Sequence, residues 1–183
     1  MEQEWRDCIV TLIDVIGVKQ HTQHGAGSSL MRKLHALVIR SKSDLPAVAH
    51  AYAWNDSVLL LSYVDRQNAS FEAAIRDADK LKRQIDKVAK SYAIAVKGLA
   101  FPSAQSGDKT AHASGVTVIE ASSWAMANCF EIEKVLKLLK KPWYIDERIA
   151  KRLCTCQTFE TKMVTLLPSN QPRAVHVFDG YLW

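Results

Sequence analysis

Two aspartates stand at positions where a carboxylate could do chemistry. Asp14 closes a short apolar run rich in β-branched residues, 8–13, and Asp56 lies between two further apolar segments, 47–54 and 58–64. Neighbouring carboxylates repel each other unless a cation lies between them, and Mg²⁺ prefers oxygen ligands that it shares with substrate phosphates. Such a site can activate a hydroxyl for attack and neutralise a triphosphate leaving group. Alternatively, Asp14 ends a strand and Asp56 makes an Asx turn without any metal.

The predicted order of elements brings these two aspartates together. Apolar periodicity predicts a strand over 8–13, a helix over 29–40 and a hairpin of two strands over 47–54 and 58–64. It then predicts a helix over 70–90, with Ser70 as N-cap, and a strand over 92–100. This is the β-α-β-β-α-β plan of ferredoxin-like sheets. The first strand is then central beside the hairpin, so Asp14 and Asp56 are expected at the same edge of the sheet.

The remainder of the chain extends the same sheet. The sequence predicts a helix over about 122–140, capped by Ser122 or Ser123, and a strand over 143–145. A short helix over 146–153 and two late strands over 162–167 and 174–179 follow. The expected fold class is therefore α/β (α+β), a ferredoxin-like sheet with an extra C-terminal helix and strands. Because no linker or internal repeat separates these elements, residues 1–183 are predicted to form one domain.

Composition limits the classes of function. The chain has 183 residues, 48% of them hydrophobic and 23% charged, as in ordinary globular domains rather than disordered chains or fibres. A net charge of +5 suits an anionic ligand such as a nucleotide, but it is too small to predict duplex DNA or another nucleic acid as a partner. The sequence shows neither a membrane span nor a signal peptide, so we expect a cytoplasmic protein with free thiols and no membrane partner.

Four segments, in chain order, resemble motifs of the class III nucleotidyl cyclases. Residues 13–18, Ile-Asp-Val-Ile-Gly-Val, resemble the first metal-binding motif of that family, and 54–58, Trp-Asn-Asp-Ser-Val, resemble the second. Residues 96–100, Val-Lys-Gly-Leu-Ala, are similar to a family strand that reads R-G-x-[IV]. Residues 125–133 resemble the late helix that carries a transition-state asparagine. Together the resemblance covers about residues 7–146.

The resemblance implies a metal site and a phosphate-binding turn. Asp14 and Asp56 would bind Mg²⁺ or Mn²⁺, with the backbone carbonyl of Ile16 as a further oxygen ligand. The turn from Asp14 to Gly17 would bring backbone amides to the substrate phosphates, where a side chain at Gly17 would obstruct their approach.

The resemblance also implies the reaction and its catalytic residues. The ribose 3′-hydroxyl of a nucleoside triphosphate would attack the α-phosphate and expel pyrophosphate, which requires positioning and charge neutralisation more than covalent chemistry. Lys97 would contact the base or the phosphates and assist catalysis, and Asn128 would orient the ribose or the transition state.

Among cyclases, the sequence looks most like the short, stand-alone pyrimidine cyclases of bacterial anti-phage defence (Pycsar). Those proteins are homodimers that bind substrate between subunits, so a homodimer is expected here. Tyr52 occupies a position, four residues before Asp56, where many adenylate cyclases have a purine-selecting lysine. An aromatic ring there would shrink the base pocket and favour UTP or CTP. Alternatively, Tyr52 is an ordinary strand aromatic that packs on a helix.

Three positions depart from the family pattern. Val18 replaces a phenylalanine, Ile132 stands where the family has a transition-state arginine, and Lys97 replaces an arginine but lacks its bidentate fork. Nearby basic residues that could substitute are Lys19, Arg32 and Lys134. Two interpretations therefore stand beside an active cyclase. One is a catalytically degenerate cyclase-fold module that binds nucleotide or protein, and the other is an oligomeric interaction protein whose aspartates lie in surface turns.

Overall fold

The computed structural model describes residues 5–18, 27–100, 123–153 and 160–183. In chain order its elements are β1 (Arg6–Val15), α1 (Gly27–Ser41), β2 (His50–Trp54), β3 (Ser57–Tyr63), α2 (Asn68–Asp86), β4 (Ser91–Ala100), α3 (Trp124–Leu136), β5 (Trp143–Asp146), α4 (Glu147–Ala150), β6 (Glu160–Leu166) and β7 (Gln171–Phe178). In these ranges, no helix is both long enough and apolar enough to cross a membrane.

The strands form one seven-stranded sheet in the order β2-β3-β1-β4-β5-β7-β6. β4 and β5 are parallel, and the other neighbouring strands are antiparallel. The first four strands with α1 and α2 have the predicted ferredoxin-like arrangement, while β5 to β7 and α4 form the C-terminal extension. The predicted fold class is therefore confirmed.

β1 is central because it is apolar on both faces. It pairs with β3 on one side and β4 on the other, and residues 8–13 are all buried. Ile9 and Ile13 belong to the core cluster that includes residues of α1 and α2, whereas Val10 and Leu12 belong to the cluster beneath α3. The sheet thus separates two hydrophobic layers, and each buried aliphatic side chain contributes about 1.5–3 kcal/mol relative to exposure.

Helices α2 and α3 cover the sheet with the apolar stripes that their spacing predicts. α2 buries one face, which includes Phe71, Ala74, Ile75, Ala78, Leu81 and Ile85. α3 buries another, which includes Ala125, Cys129, Ile132 and Leu136. Its close packing on β4 requires Gly98, since a Cβ added there would lie 2.7 Å from the Cβ of Ala125.

Some boundaries differ from the sequence prediction. Ser70 lies inside α2 and is not its N-cap, because the helix begins earlier, at Asn68, with Gln67 as N-cap. The Asp65 carboxylate accepts hydrogen bonds from the Gln67 N–H and the Ser70 hydroxyl, both at 2.7 Å. Ser123 caps α3 as predicted and accepts a hydrogen bond from the Ala125 N–H. The loop predicted over 102–115 lies outside the described residues.

Two buried cysteines give a direct test of the core. Cys8 and Cys129 are free thiols, and burial raises the pKa of Cys8 to about 12 and also raises the pKa of Cys129. Because the thiolate is the reactive species, we expect iodoacetamide at pH 8 to modify neither residue in the folded protein and both in urea. Peptide mass spectrometry would measure this, and modification at the same rate with and without urea would contradict the burial. Cys154 and Cys156 lie outside the described residues.

Candidate functional site

The end of β1 and the tip of the β2–β3 hairpin meet at one edge of the sheet. Asp14 lies opposite Ser57 in the β1–β3 register, and the Val15 N–H donates to the carbonyl of Asp56 at 3.0 Å. Asn55 makes the tight turn between the two hairpin strands with a positive φ of 50°. The structure therefore brings Asp14 and Asp56 together.

Asp14 is held by hydroxyl groups from the strands on either side. The Ser57 hydroxyl donates to Oδ1 of Asp14 at 2.6 Å, and the Tyr92 hydroxyl donates to Oδ2 at 2.9 Å. The Tyr92 oxygen also lies 2.9 Å from Oε1 of Glu133, on α3. One row of adjacent positions across four strands comprises Trp54, Ser57, Asp14 and Tyr92. The Asp14 side chain thus faces the α3 layer and is fixed on both sides.

The electrostatics of Asp14 favour a nearby cation. Burial raises the pKa of this half-buried carboxyl, and the hydrogen bonds from Ser57 and Tyr92 oppose that rise. The negative charges of Asp56 and Glu133 raise the pKa further. A cation between Asp14 and Asp56 would remove this repulsion and favour the ionised carboxylate.

The oxygen atoms at this edge fit a hard divalent ion. Carboxylate oxygens are the ligands that Mg²⁺ and Mn²⁺ prefer. No cluster of three or more His, Cys, Asp or Glu side chains that could hold a metal occurs in the part of the chain that the structure describes. The remaining ligands would therefore be main-chain carbonyls, such as the predicted Ile16 oxygen, water and substrate phosphates. The Ile16 N–H already donates to the carbonyl of Lys90 at 2.8 Å.

The turn after β1 requires glycine at one position. Gly17 has a φ of 85°, in the left-handed region that a residue with a Cβ rarely adopts. Val18, the next residue, packs against the core cluster that includes α1 and α2. The turn beside Asp14 therefore has no side chain at Gly17, as an approach of phosphate oxygens to its backbone would need.

Tyr52 lies on the same face of the sheet as Asp14. It is opposite Leu59 on β3 and two residues from Trp54, so both aromatic side chains face the α3 side. The ring is half-buried, and burial raises the pKa of its hydroxyl. Its centroid lies 6.3 Å from that of His50. Tyr52 therefore packs on the sheet and is also partly exposed on the face that carries Asp14.

Lys97 and Asn128 lie away from Asp14 in the same subunit. Lys97 is five residues along β4 from Tyr92, roughly 17 Å at strand spacing, and its side chain faces the α2 layer. Its Nζ lies 3.2 Å from Oδ2 of Asp7 and 5.7 Å from the Phe71 ring. The structure therefore does not bring Lys97 to the two aspartates within one subunit.

Asn128 uses its side-chain amide to hold the β6–β7 hairpin. Its Nδ2 donates to the Leu167 carbonyl at 2.9 Å, and the Leu167 N–H donates to its Oδ1 at 2.7 Å. The residue is only 2% exposed. The transition-state role implied by the resemblance stays a prediction, and in this structure the amide faces backbone instead.

The structure locates the residue that replaces the family's arginine and two of the basic residues that could substitute for it. Ile132, which stands where cyclases have an arginine, is fully buried in the core beneath α3. Lys134 is exposed and pairs with Glu131 at 2.7 Å. Arg32 lies exposed on α1, and Lys19 is outside the described residues.

The sequence prediction missed Tyr92 and Glu133. Tyr92 was the expected start of a strand, but nothing local shows that it faces Asp14, 78 positions earlier. Two signals in the sequence could have pointed to this contact. The register implied by the sheet plan places Tyr92 beside Asp14, and Glu133 is an acidic residue at the border of the apolar stripe on α3.

Comparison with known proteins identifies the fold. No family model matches the chain, and no curated protein matches its sequence. A bacterial light-regulated adenylyl cyclase has a TM-score of 0.64 at 12% identity, covering 97% of this chain and 93% of that one. The guanylyl cyclase Cya2 has a TM-score of 0.64 at 11% identity, covering 99% and 95%. The RhoGC guanylyl cyclase domain from the fungus Blastocladiella emersonii has a TM-score of 0.58 at 10% identity, covering 96% of each chain.

These similarities extend over nearly the whole of each chain, so they concern the complete domain and not a shared motif. Identities of 10–12% establish a common fold and leave substrate and activity open. The resemblance found in the sequence is therefore confirmed at the level of architecture: this chain has the fold of the adenylyl and guanylyl cyclase domains.

Proposed function

We propose that this chain is a metal-dependent nucleotidyl cyclase, which converts a nucleoside triphosphate to a 3′,5′-cyclic nucleotide and pyrophosphate. The observation that carries the proposal is the convergence of Asp14 and Asp56 at one edge of a cyclase-type sheet, where backbone atoms of residues 15 and 56 are 3.0 Å apart. Following the sequence resemblance, the product would serve as an anti-phage signal.

The residues around Asp14 would prepare the site for this reaction. Asp14 and Asp56 would hold Mg²⁺ or Mn²⁺, which when bound neutralises the triphosphate and favours ionisation of the 3′-hydroxyl. Before metal binds, Ser57 and Tyr92 hold the Asp14 carboxylate in place. Because Gly17 has no side chain, phosphate oxygens would be able to approach the backbone of its turn. The new bond joins O3′ to the α-phosphorus, the bond to the bridging oxygen breaks, and the hydroxyl proton is lost to solvent.

A homodimer would complete the site. One similar structure is described as a non-canonical dimeric guanylyl cyclase domain, with a TM-score of 0.55. Another is described as a guanylate cyclase domain in complex with GTP, with a TM-score of 0.50. Lys97 is too far from Asp14 to act in its own subunit but is partly exposed at 22%. In a site between subunits, Lys97 of one subunit would contact the substrate held by Asp14 and Asp56 of the other.

The main test is a nucleotide panel. The chain is incubated with ATP, GTP, CTP or UTP and Mn²⁺, and cyclic product and pyrophosphate are quantified by liquid chromatography and mass spectrometry. We expect a cyclic pyrimidine nucleotide that forms only when metal is present. No product from any of the four nucleotides would contradict an active cyclase.

A nucleotide-binding module is the second candidate, favoured by the complete burial of Ile132 at the position of the missing arginine. In that case no nucleotide would be converted, but a nucleotide with Mn²⁺ would raise the melting temperature, since a ligand that binds only the folded state stabilises it. A melting temperature that is unchanged by metal and nucleotide would leave the interaction-protein interpretation.

Base selection by Tyr52 can be tested separately. Replacing Tyr52 with alanine should widen the pocket, and we expect the ratio of kcat/KM for UTP to that for ATP to fall about tenfold, the scale of discrimination by pocket shape. Tyr63→Ala is a matched control, because Tyr63 is a half-buried aromatic on the same face of the hairpin but at its other end. An unchanged ratio in the Tyr52 variant would show that its ring only packs on the sheet.

A further inference from the structure

The Tyr92 hydroxyl lies between two carboxylates and has one proton to donate. Its oxygen is 2.9 Å from Oδ2 of Asp14 and 2.9 Å from Oε1 of Glu133. A phenolic hydroxyl carries a single proton. The hydroxyl can therefore donate a full hydrogen bond to only one of the two acceptors at a time.

The position of this hydroxyl is fixed by packing. Tyr92 is 5% exposed, and its ring makes an edge contact with Tyr144, with 6.2 Å between ring centroids. Glu133 reaches the hydroxyl from α3, whereas Asp14 reaches it from β1. The two acceptors thus belong to different elements and share one rigid donor.

A cation at Asp14 would compete with this donor. Metal coordination uses carboxylate lone pairs, and a hydrogen bond to the same oxygen reduces what the carboxylate can offer to the ion. A buried hydroxyl that simply lost its acceptor would be left unsatisfied, which is costly. Glu133 supplies a charged alternative acceptor at an equal distance, so the hydroxyl can turn away from Asp14 without that cost.

We infer that Glu133 is a positioning residue for the metal site, which accepts the hydrogen bond from the Tyr92 hydroxyl when Asp14 turns to the cation. Glu133 acts through Tyr92 and does not itself bind the ion, in keeping with the absence of a three-residue ligand cluster among the described side chains. This inference rests on the proposed function, since it assumes that Asp14 and Asp56 bind a divalent ion.

The experiment is a double-mutant cycle read by Mn²⁺ affinity in calorimetry, with no nucleotide present. The variants are Glu133→Gln, Tyr92→Phe and their combination. Glutamine keeps the shape of Glu133 but is a weaker, neutral acceptor, so the Tyr92 hydroxyl continues to donate its hydrogen bond to Asp14 and competes with the ion. We expect Glu133→Gln to weaken Mn²⁺ binding about tenfold when Tyr92 is present and less than about twofold in the Tyr92→Phe background.

A control on the same helix separates this effect from loss of charge. Glu131→Gln also removes one negative charge from α3, but Glu131 pairs with Lys134 at 2.7 Å, where its side chain is 41% exposed. We expect it to change Mn²⁺ affinity by less than about twofold. An equal effect of Glu133→Gln with and without Tyr92 would overturn the inference and assign Glu133 a through-space role. Absence of Mn²⁺ binding by the unmutated chain without nucleotide would also overturn this inference, whereas the proposed function is decided separately by the nucleotide panel.

Discussion

Replacing Asp14 with asparagine is expected to reduce Mn²⁺-dependent turnover about a thousandfold, the scale on which a single group that stabilises transition-state charge contributes. Asparagine cannot supply the negative charge that holds a divalent ion against triphosphate. Asp56→Asn should have a similar effect, because the two carboxylates share one ion. Initial rates of cyclic product formation at saturating nucleotide, across a range of Mn²⁺ concentrations, would measure both losses.

The asparagine variant should fold, because the hydrogen bonds around residue 14 can adapt. The amide oxygen can accept from the Ser57 hydroxyl, and the amide nitrogen can donate to the Tyr92 oxygen. The Tyr92 hydroxyl then donates its hydrogen bond to Glu133. The chain would lose the charge of the site but keep the packing around it.

The pH dependence of stability also predicts that the Asp14→Asn variant folds. The pKa of Asp14 is raised in the folded state, so its stabilising contribution is present below the unfolded pKa and is lost as pH rises through the folded pKa. At pH 7.5 the carboxylate is therefore unfavourable without metal. The melting temperature of Asp14→Asn in metal-free buffer should be equal to or above that of the unmutated chain, and Mn²⁺ should no longer raise it.

Asp179→Asn is the matched control for the two site variants. Asp179 is exposed and pairs with Lys141 at 2.9 Å, on the C-terminal segment after β7. The same chemical change there should leave turnover and the Mn²⁺-induced stabilisation unchanged. If Asp14→Asn and Asp56→Asn kept turnover within about tenfold of the unmutated chain, metal binding by these carboxylates would be the wrong mechanism.

Burial patterns explain why much of the fold could be predicted. Residues 8–13 are buried at every position, and all but Thr11 are apolar, because both faces of β1 are covered. Only a central strand meets that requirement. The α2 stripe from Phe71 to Ile85 is helical in spacing because a single face contacts the sheet. The tight turn at residues 55 and 56 fixes the β2–β3 register, in which Trp54 lies opposite Ser57. The β1–β3 register then places Ser57 beside Asp14.

The contacts made by individual side chains could not be predicted in the same way. Lys97 was assigned to the site from its motif, but strand alternation places it on the face opposite to Asp14, and its interaction with Asp7 depends on the register of β1 and β4. The partner of Asn128 lies 39 positions later. The contact between Tyr92 and Glu133 depends on how α3 is rotated about its axis on the sheet. Apolar periodicity shows which broad face of α3 is buried, but it does not fix that rotation closely enough to predict a single contact.

Replacing Asn128 with alanine is expected to destabilise the fold by about 2–3 kcal/mol, because two hydrogen bonds to Leu167 are lost at a buried site. For a chain of this size, that loss lowers the melting temperature by about 5–10 °C. Asn128→Asp should also destabilise, since a carboxylate oxygen would replace the donor that faces the Leu167 carbonyl. Thermal and guanidinium unfolding without nucleotide would measure both variants.

The same variants separate the two roles of Asn128. If the amide only holds the β6–β7 hairpin, turnover of Asn128→Ala measured well below its melting temperature should stay within about tenfold of the unmutated chain. If instead Asn128→Ala unfolds like the unmutated chain but loses turnover more than about a hundredfold, Asn128 acts in the reaction and not in stability. The amide would then leave Leu167 and contact the substrate, as the resemblance to cyclases implies.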